Sequence, residues 1–413
     1  MSTMRSGTFS RRKLLGGLAA AAAAGSGLTL AGGRADAADL AAGRPHAADL
    51  AAGRPHAGER AATLPLTVVN RTGQFGNGSI WVYIVGNEGG RQVRVTPDGK
   101  VAPVALSDNG PDGWTDYAIP LAASGDTRLS LPPMSGRIYV ALGSKLKFKA
   151  VTDGAGNPAL QYPAGWVASD PNYRVLHDCA EFTFNSAGMF CNTTMVDMFS
   201  VPMSIRLTGA KDQTTGTLKN GARAKVFADL SAVEAFAPLV LGGDLRVIAP
   251  GHGLDAGLFA KDYLAGYIDQ VWAAYAAKDL RVTTNAGTFT GRVGGGRLAF
   301  TGPASVSFAK PSTRDVLFCD GALAAPNDGT TGPVAAVLGA GFNRTTLHST
   351  AAQPTTDPAA FYTSPVTNHY AKAMHAAAAD GKAYGFAFDD VADFASYIQD
   401  TAPTAATLTL TPF

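Results

Sequence analysis

From Leu64 onward, apolar and polar residues alternate in short runs, the period expected of half-buried strands. LPLTVVN (from Leu64), SIWVYIVG (from Ser79), RQVRVTP, TRLSLPP and GRIYVALG each predict one strand, bounded by glycine or proline. Turn signals recur about every ten residues, the rhythm of a sandwich or barrel. SKLKFKAV puts Lys145, Lys147 and Lys149 on one face, which predicts a solvated strand. Beyond about Gly209 the pattern changes. Ala222–Val226 and Leu245–Ala249 predict strands, and Leu230–Phe236 and Ala260–Ala277 carry helical spacing. In the latter, Leu264, Ile268, Val271, Trp272 and Tyr275 form one apolar stripe, which places Trp272 in a core. RVTT, GTFTGRV and RLAFTG predict strands; Pro333–Leu338 and Pro358–Ala379 predict helices that open on proline. YGFAFDDVADF predicts a short strand ending in an acidic turn. The alternating ATLTLTPF predicts a strand that rejoins the first sheet and makes the mixed region an insertion.

The most informative stretch runs from Leu176 to Pro202. Glu181, Thr183 and Asn185 alternate with Phe182 and Phe184, so the two phenylalanines enter a core while the polar three line the other face. A turn at Ser186–Gly188 returns the chain through Asn192, Thr193 and Thr194 to Asp197. A hairpin there brings Glu181 and Asp197 onto one surface. Two carboxyl groups among threonines, asparagines and an aromatic ring are the equipment of glycoside hydrolysis. The same alternation also dresses any half-exposed strand.

Composition narrows the field. Of 413 residues, 46% are hydrophobic and 16% charged, so the chain folds around a core. A net charge of +2 offers no electrostatic footprint for nucleic acid and suits a neutral partner. Residues 1–37 read as a twin-arginine signal peptide: Ser10-Arg11-Arg12-Lys13-Leu14-Leu15, a weakly apolar run, and Ala35-Asp36-Ala37 as the cleavage site. AADLAAGRPH then occurs twice without change, at Ala37–His46 and Ala47–His56, so 38–62 read as a low-complexity linker. Export and no membrane association after cleavage follow. His177, His252, His348, His369 and His375 show no metal-ligand spacing, so no metal or cofactor is expected, and His252 in APGHG reads as a loop residue. Cys179 and Cys191 flank the Glu181 strand; a bridge between them, leaving Cys319 free, and three buried thiols are both open.

AEFTFNSAGMFCNTTMVDMFSVPM, with YGFAFDDV and TLTLTPF near the end, resembles the laminaripentaose-producing β-1,3-glucanases, glycoside hydrolase family 64, and more distantly the thaumatin-like proteins. RVIAPGHG, YIDQVWAAY and DVLFCDGALAAPNDGT extend the likeness over most of the chain. The resemblance implies a mainly β fold with an α/β part, shaped as a two-lobed crescent. A thaumatin-like barrel or sandwich would cover 63–208 with 383–413, an α/β domain 209–382, and a wide groove between them would hold β-1,3-glucan. It implies a secreted, monomeric, inverting enzyme with Glu181 as general acid and Asp197 as general base. Thr183, Asn185, Asn192 and Thr194 fall on the groove face, and Phe190 falls where an indole ring is expected to stack on sugar. Asp389 and Asp390 form a second acidic pair near the groove, for sugar binding or for capping a turn. Burial beside phenylalanine and the charge of Asp197 would keep Glu181 protonated, and donors from Thr193 or Thr194 would keep Asp197 ionised. A non-catalytic glucan-binding protein is the alternative.

Overall fold

The structure, a computed structural model, describes residues 63–413. The expected signal peptide and repeat linker lie outside the described residues. Strands β1 (Leu64–Asn70), β2 (Ile80–Glu88), β3 (Arg91–Val95) and β4 (Val101–Pro103) come first, then β5 (Ile119–Pro120), β6 (Thr127–Leu131) and β7 (Met134–Leu142). A small hairpin, β8 (Lys149–Thr152) and β9 (Pro158–Gln161), precedes β10 (Leu176–Asn185) and β11 (Gly188–Thr193). After them come β12 (Met198–Phe199), β13 (Met203–Thr208) and β14 (Asp212–Thr215). The mixed region holds α1 (Ala222–Ser231), β15 (Val240–Leu241), β16 (Arg246–Ile248), α2 (Pro250–Asp255) and α3 (Ala265–Ala277). It continues through β17 (Leu280–Thr284), β18 (Gly287–Gly294), β19 (Arg297–Thr301), β20 (Val306–Ala309), α4 (Thr313–Phe318), α5 (Gly332–Asn343), β21 (Ala352–Gln353) and α6 (His369–Ala377). The last strands are β22 (Tyr397–Asp400) and β23 (Ala405–Leu410).

A five-stranded sheet, β14-β13-β23-β1-β6, shares one core with an eight-stranded sheet, β22-β11-β10-β7-β2-β3-β4 with β5 beside β2. Phe182 and Phe184 enter that core, as the alternation requires, and each contributes roughly 1.5–3 kcal/mol by burial. β23 lies between β1, to which it is parallel (Leu66 opposite Ala406), and β13, to which it is antiparallel (Met203 opposite Leu410). The far face of the eight-stranded sheet is divided. One part packs around Phe148 with Tyr83, Tyr117, Tyr139, Leu160 and Cys179, under the β8–β9 hairpin, while Lys145, Lys147 and Lys149 stay solvated. The other part, toward β22, carries the polar residues of the candidate site.

A separate core joins α1, α3, α5 and α6 to the sheet β20-β19-β18-β17-β21. Its strands send in Val282, Phe289, Leu298, Phe300 and Phe308; α3 presents its predicted stripe, and Trp272 is core. The mainly β character with a few helices therefore stands. Among the described residues, no helix is long and apolar enough to cross a membrane.

Three local expectations are corrected. Ala222–Val226 is the first half of a helix, because Val226, Phe227 and Leu230 gather on one face and are buried. The single helix expected over Pro358–Ala379 is a short 3₁₀ turn at Pro358–Ala360 and then α6, with Pro365 between them. Proline breaks a helix interior, and the Asn368 side chain restarts it by accepting the Ala371 N–H at 3.1 Å. YGFAFDDVADF is a series of turns, with a single-residue bridge between Thr194 and Tyr384.

The cysteine question is settled by strand parity. Cys179 shares the face of Glu181, under the β8–β9 hairpin, whereas Cys191 lies opposite Phe182 and enters the sandwich core. Side chains on opposite faces of one sheet cannot bridge, and all three thiols are free and buried. A reductant is expected to leave the thermal unfolding midpoint unchanged; a drop of several degrees in scanning calorimetry would contradict this.

Candidate active site

The β10–β11 hairpin sets Glu181 opposite Asn192 and Thr183 opposite Phe190. On the other side of β10, Glu181 faces Arg137 and Thr183 faces Ser135 of β7. Directly opposed residues point to the same face, so Ser135, Arg137, Glu181, Thr183, Phe190 and Asn192 form one polar platform. Arg137 organises it. Its Nε and Nη2 donate to Glu181 Oε1 at 3.1 and 2.8 Å, and its Nη1 lies 3.6 Å from Asp197 Oδ2. One guanidinium thus touches both carboxyl groups, so their nearest oxygens stand no more than about 9 Å apart, a ceiling that admits both the roughly 6.5–9.5 Å of inverting and the roughly 5–5.5 Å of retaining glycosidases.

The two acids differ in environment. The Glu181 side chain is 1% exposed and the Asp197 side chain 13%. Burial pushes the Glu181 carboxyl up to about 7; Arg137 pulls it down, Asp197 pushes it up, and burial prevails. Asn192 Nδ2 donates to Glu181 Oε2 at 3.3 Å.

Asp197 is held from the other core. Its carbonyl accepts the Ala249 N–H at 3.1 Å, just before β12 pairs with β16. Its Oδ1 lies 2.8 Å from Nε2 of His252 on α2. The His252 ring stacks on Trp166, with centroids 4.2 Å apart and planes at 22°. Just beyond Asp197, the N–H groups of Ser200 and Val201 donate to the buried Asp178 carboxyl at 2.8 and 3.2 Å, which ties this segment back to β10. Burial pushes Asp178 up to about 7 despite those donors.

The remaining expected residues divide. Thr183 donates to Ser135 Oγ at 3.0 Å, and Phe190 is half-buried on the same platform. Asn185 is exposed but caps its own turn, its Oδ1 accepting the Ala187 N–H at 2.8 Å. Thr194 is buried and its hydroxyl accepts the Val196 N–H at 3.4 Å. Thr193 is buried with no partner for its hydroxyl among the described residues, so it does not serve Asp197; His252 and Arg137 stand there instead. Asp389 is fully buried, and its carboxyl is engaged by protein groups. Its carboxyl accepts from Arg344 Nη2 at 3.0 Å and from the Gly385 N–H at 2.9 Å, and lies 2.9 Å from His375 Nε2, a structural hub. Asp390 beside it is half-buried.

Sequence reasoning missed Arg137, His252 and Trp166. Arg137 left a signal: a charge in the otherwise apolar GRIYVALG strand demands a buried partner.

The family model described as Beta-1,3-glucanase, glycoside hydrolase family 64, matches residues 62–410. Two curated relatives, both glucan endo-1,3-beta-glucosidases, are similar. That of Arthrobacter sp. (strain YCWD3) is 36% identical over 85% of this chain, and that of Cellulosimicrobium cellulans 34% over 85%. The chain spans 66% of the length of each. Among solved structures, a laminaripentaose-producing beta-1,3-glucanase in complex with laminaritetraose is 38% identical with a TM-score of 0.77, over 85% of this chain and 99% of that one. A beta-1,3-glucanase domain from Clostridium beijerinckii is 28% identical with a TM-score of 0.75, over 86% of this chain and 100% of that one. The fold, the platform and these matches agree: the chain belongs to glycoside hydrolase family 64, the beta-1,3-glucanase family.

Proposed function

We propose that this protein hydrolyses β-1,3-glucan with inversion, Glu181 acting as general acid and Asp197 as general base. The observation that carries the reading is the shared guanidinium: Arg137 gathers two carboxyl groups of unequal burial on one polar platform. The acid must hold a proton near neutral pH, and a carboxyl at about 7 does so. It protonates the glycosidic oxygen as the C–O bond breaks. Asp197, nearer to solvent, takes a proton from the water that attacks the anomeric carbon from the opposite side. Arg137 faces both carboxyl groups, so it stays beside the negative charge as that charge passes from Asp197 before the reaction to Glu181 after it. Phe190 offers an apolar ring for a sugar face, and Thr183, Asn185 and Asn192 offer hydroxyl and amide partners. We also assign Thr194 and Asp390 to substrate binding, on the resemblance alone.

Release of short oligosaccharides such as laminaripentaose is inferred from the similar solved enzyme. Export and action as a monomer outside the cell are inferred from the twin-arginine pattern at Ser10–Leu15 and the neutral substrate. A glucan crossing between the sandwich and the α/β part would meet both acids, which favours the two-lobed arrangement with a groove.

The test is product analysis on a linear β-1,3-glucan, with proton NMR of the first product. An α-anomer is expected; a β-anomer would assign a nucleophile and overturn inversion. The 1% exposure of Glu181 favours a second reading, a glucan-binding protein without turnover. It predicts retention on insoluble glucan with no soluble sugar released.

A further inference from the structure

The segment Ala249–Asp255 touches Asp197 twice. Its Ala249 N–H donates to the Asp197 carbonyl, and one helical turn later His252 reaches the Asp197 carboxylate. An ionised carboxylate only accepts, so Nε2 carries the proton of this bond. The ring has little freedom. Trp166 stacks on one face at 4.2 Å, and the Phe318 ring meets it edge-on at 5.5 Å. The side chain is 3% exposed. The two glycines that flank it explain how the helix lies so close. A Cβ on Gly251 would stand 3.0 Å from the Phe318 ring, and one on Gly253 2.1 Å from Leu239 Cδ2.

We propose that His252 is a positioning residue for Asp197: it fixes Oδ1 from the α/β side, while Arg137 Nη1 faces Oδ2 from the sheet at 3.6 Å, so the carboxylate is oriented from both cores toward the attacking water. The proposal rests on Asp197 being the base. Glu181 is fixed by the eight-stranded sheet and Asp197 by β16 and α2, so the His252 bond sets the distance and angle between acid and base across two cores. A displacement of about 1 Å at such a group costs on the order of 10²-fold in turnover. A donor on a carboxylate also favours its ionised form, so loss of this bond handicaps the base at low pH. The charged and titratable groups in range of Asp197 include Arg137, Glu181 and Cys179 from the sheet, His252 from α2 and Tyr370 from α6.

Two amides separate reach from mere loss of the ring. In His252→Gln the amide nitrogen falls near the place of Nε2; in His252→Asn it stops short; both lose the stack on Trp166. Rates are read on soluble β-1,3-glucan against pH. His252→Gln is expected to keep kcat within about tenfold of the parent and to keep the acid limb of the profile in place. His252→Asn is expected to lose on the order of 10²-fold in kcat, with KM unchanged and the acid limb moved to higher pH. Equal kcat and coincident acid limbs in the two variants would overturn the proposal. Should His252→Asn not fold, His252→Ala assayed with and without imidazole replaces it; restored turnover supports the proposal and absence of rescue opposes it. Asp197→Asn separates the two readings: full activity there removes the base assignment itself, whereas an inactive Asp197→Asn beside matched His252 variants removes only the positioning role.

Discussion

Glu181→Gln is expected to lower kcat on a linear β-1,3-glucan by roughly 10²–10⁴-fold, the usual worth of a positioned general acid. On the proposed roles Asp197→Asn falls in the same range, because water must then attack the anomeric carbon without a base to take its proton. The pH dependence of stability changes as well. Glu181 is raised in the fold to about 7 by burial, with Arg137 opposing and Asp197 assisting. A carboxyl raised on folding contributes fully below its unfolded value and loses that contribution as pH climbs through its folded value. The glutamine variant has no such loss. Its stability relative to the parent is therefore expected to grow between about pH 4.5 and 7, by up to about 3 kcal/mol at 1.36 kcal/mol per pH unit. Denaturant melts at pH 5 and pH 8 measure this, and a variant less stable at pH 8 than at pH 5, relative to the parent, would remove burial as the cause. The pairing of a lost activity with a stability difference that shifts in favour of the variant as pH rises is the signature expected of a buried carboxyl kept for chemistry.

Asp389→Asn is expected to be the most destabilising single change on the molecule outside the apolar cores, at about 3–5 kcal/mol. The Arg344 guanidinium, 2% exposed, would then have no counter-charge. It donates to the Val391 and Asp389 carbonyls and lies over the rings of Phe361 and Phe394, so it cannot swing to water. His375 is caught in the same hub. Its Nδ1 faces the Gly381 carbonyl at 2.8 Å and its Nε2 faces the Asp389 carboxylate at 2.9 Å. Both partners are acceptors, so both nitrogens need a proton. Burial alone would lower His375, but the charge and hydrogen bond of Asp389 outweigh it and the group is raised. A raised histidine stabilises fully below its unfolded value, about 6.5, and its contribution fades as pH rises through the folded value. The gap between parent and Asp389→Asn should therefore be widest near pH 6 and narrow toward pH 9. The hub also steadies turns with uncommon backbone: Thr345 (φ 52°), Tyr362 (φ 56°), Ala392 (φ 63°) and Asp393 (φ 65°) all flank Arg344 or its partners. Such residues cost of order 1–3 kcal/mol each and persist only where their surroundings hold them.

The sequence carried what is local. The β10–β11 hairpin follows from alternation and one turn, and with it the shared face of Glu181, Thr183 and Asn192. The return of β23 to the first sheet was likewise readable, since a clean alternating strand needs a sheet to complete; its place between β1 and β13 was not. Elements failed where a single residue decided: Pro365 splits a long apolar stretch, and the alanine-rich start of α1 has no alternation to separate strand from helix. The acid pair was readable as two residue types on one hairpin; the groups that govern it were not. Arg137 is remote from Glu181 in sequence, and His252 reaches Asp197 from another sheet and helix. Contacts of that kind follow from packing, and a short motif such as APGHG shows only that something presses close on both sides of a histidine. Asp389 shows the converse. An acidic pair in a turn looks like a ligand for sugar hydroxyls until burial reveals a cation beneath it.

The five-stranded sheet has its two most distant segments as neighbours, Leu66 beside Ala406 and Met203 beside Leu410. During folding, β1 and β13 wait with open edges until a strand from the other end of the described chain arrives to fill the gap. Closure of such a loop is slow, and an unfilled slot between two exposed strands invites the same strand of another molecule. Refolding yield should consequently fall as protein concentration rises, and the species that accumulate should be joined through this slot rather than through the polar platform around Arg137.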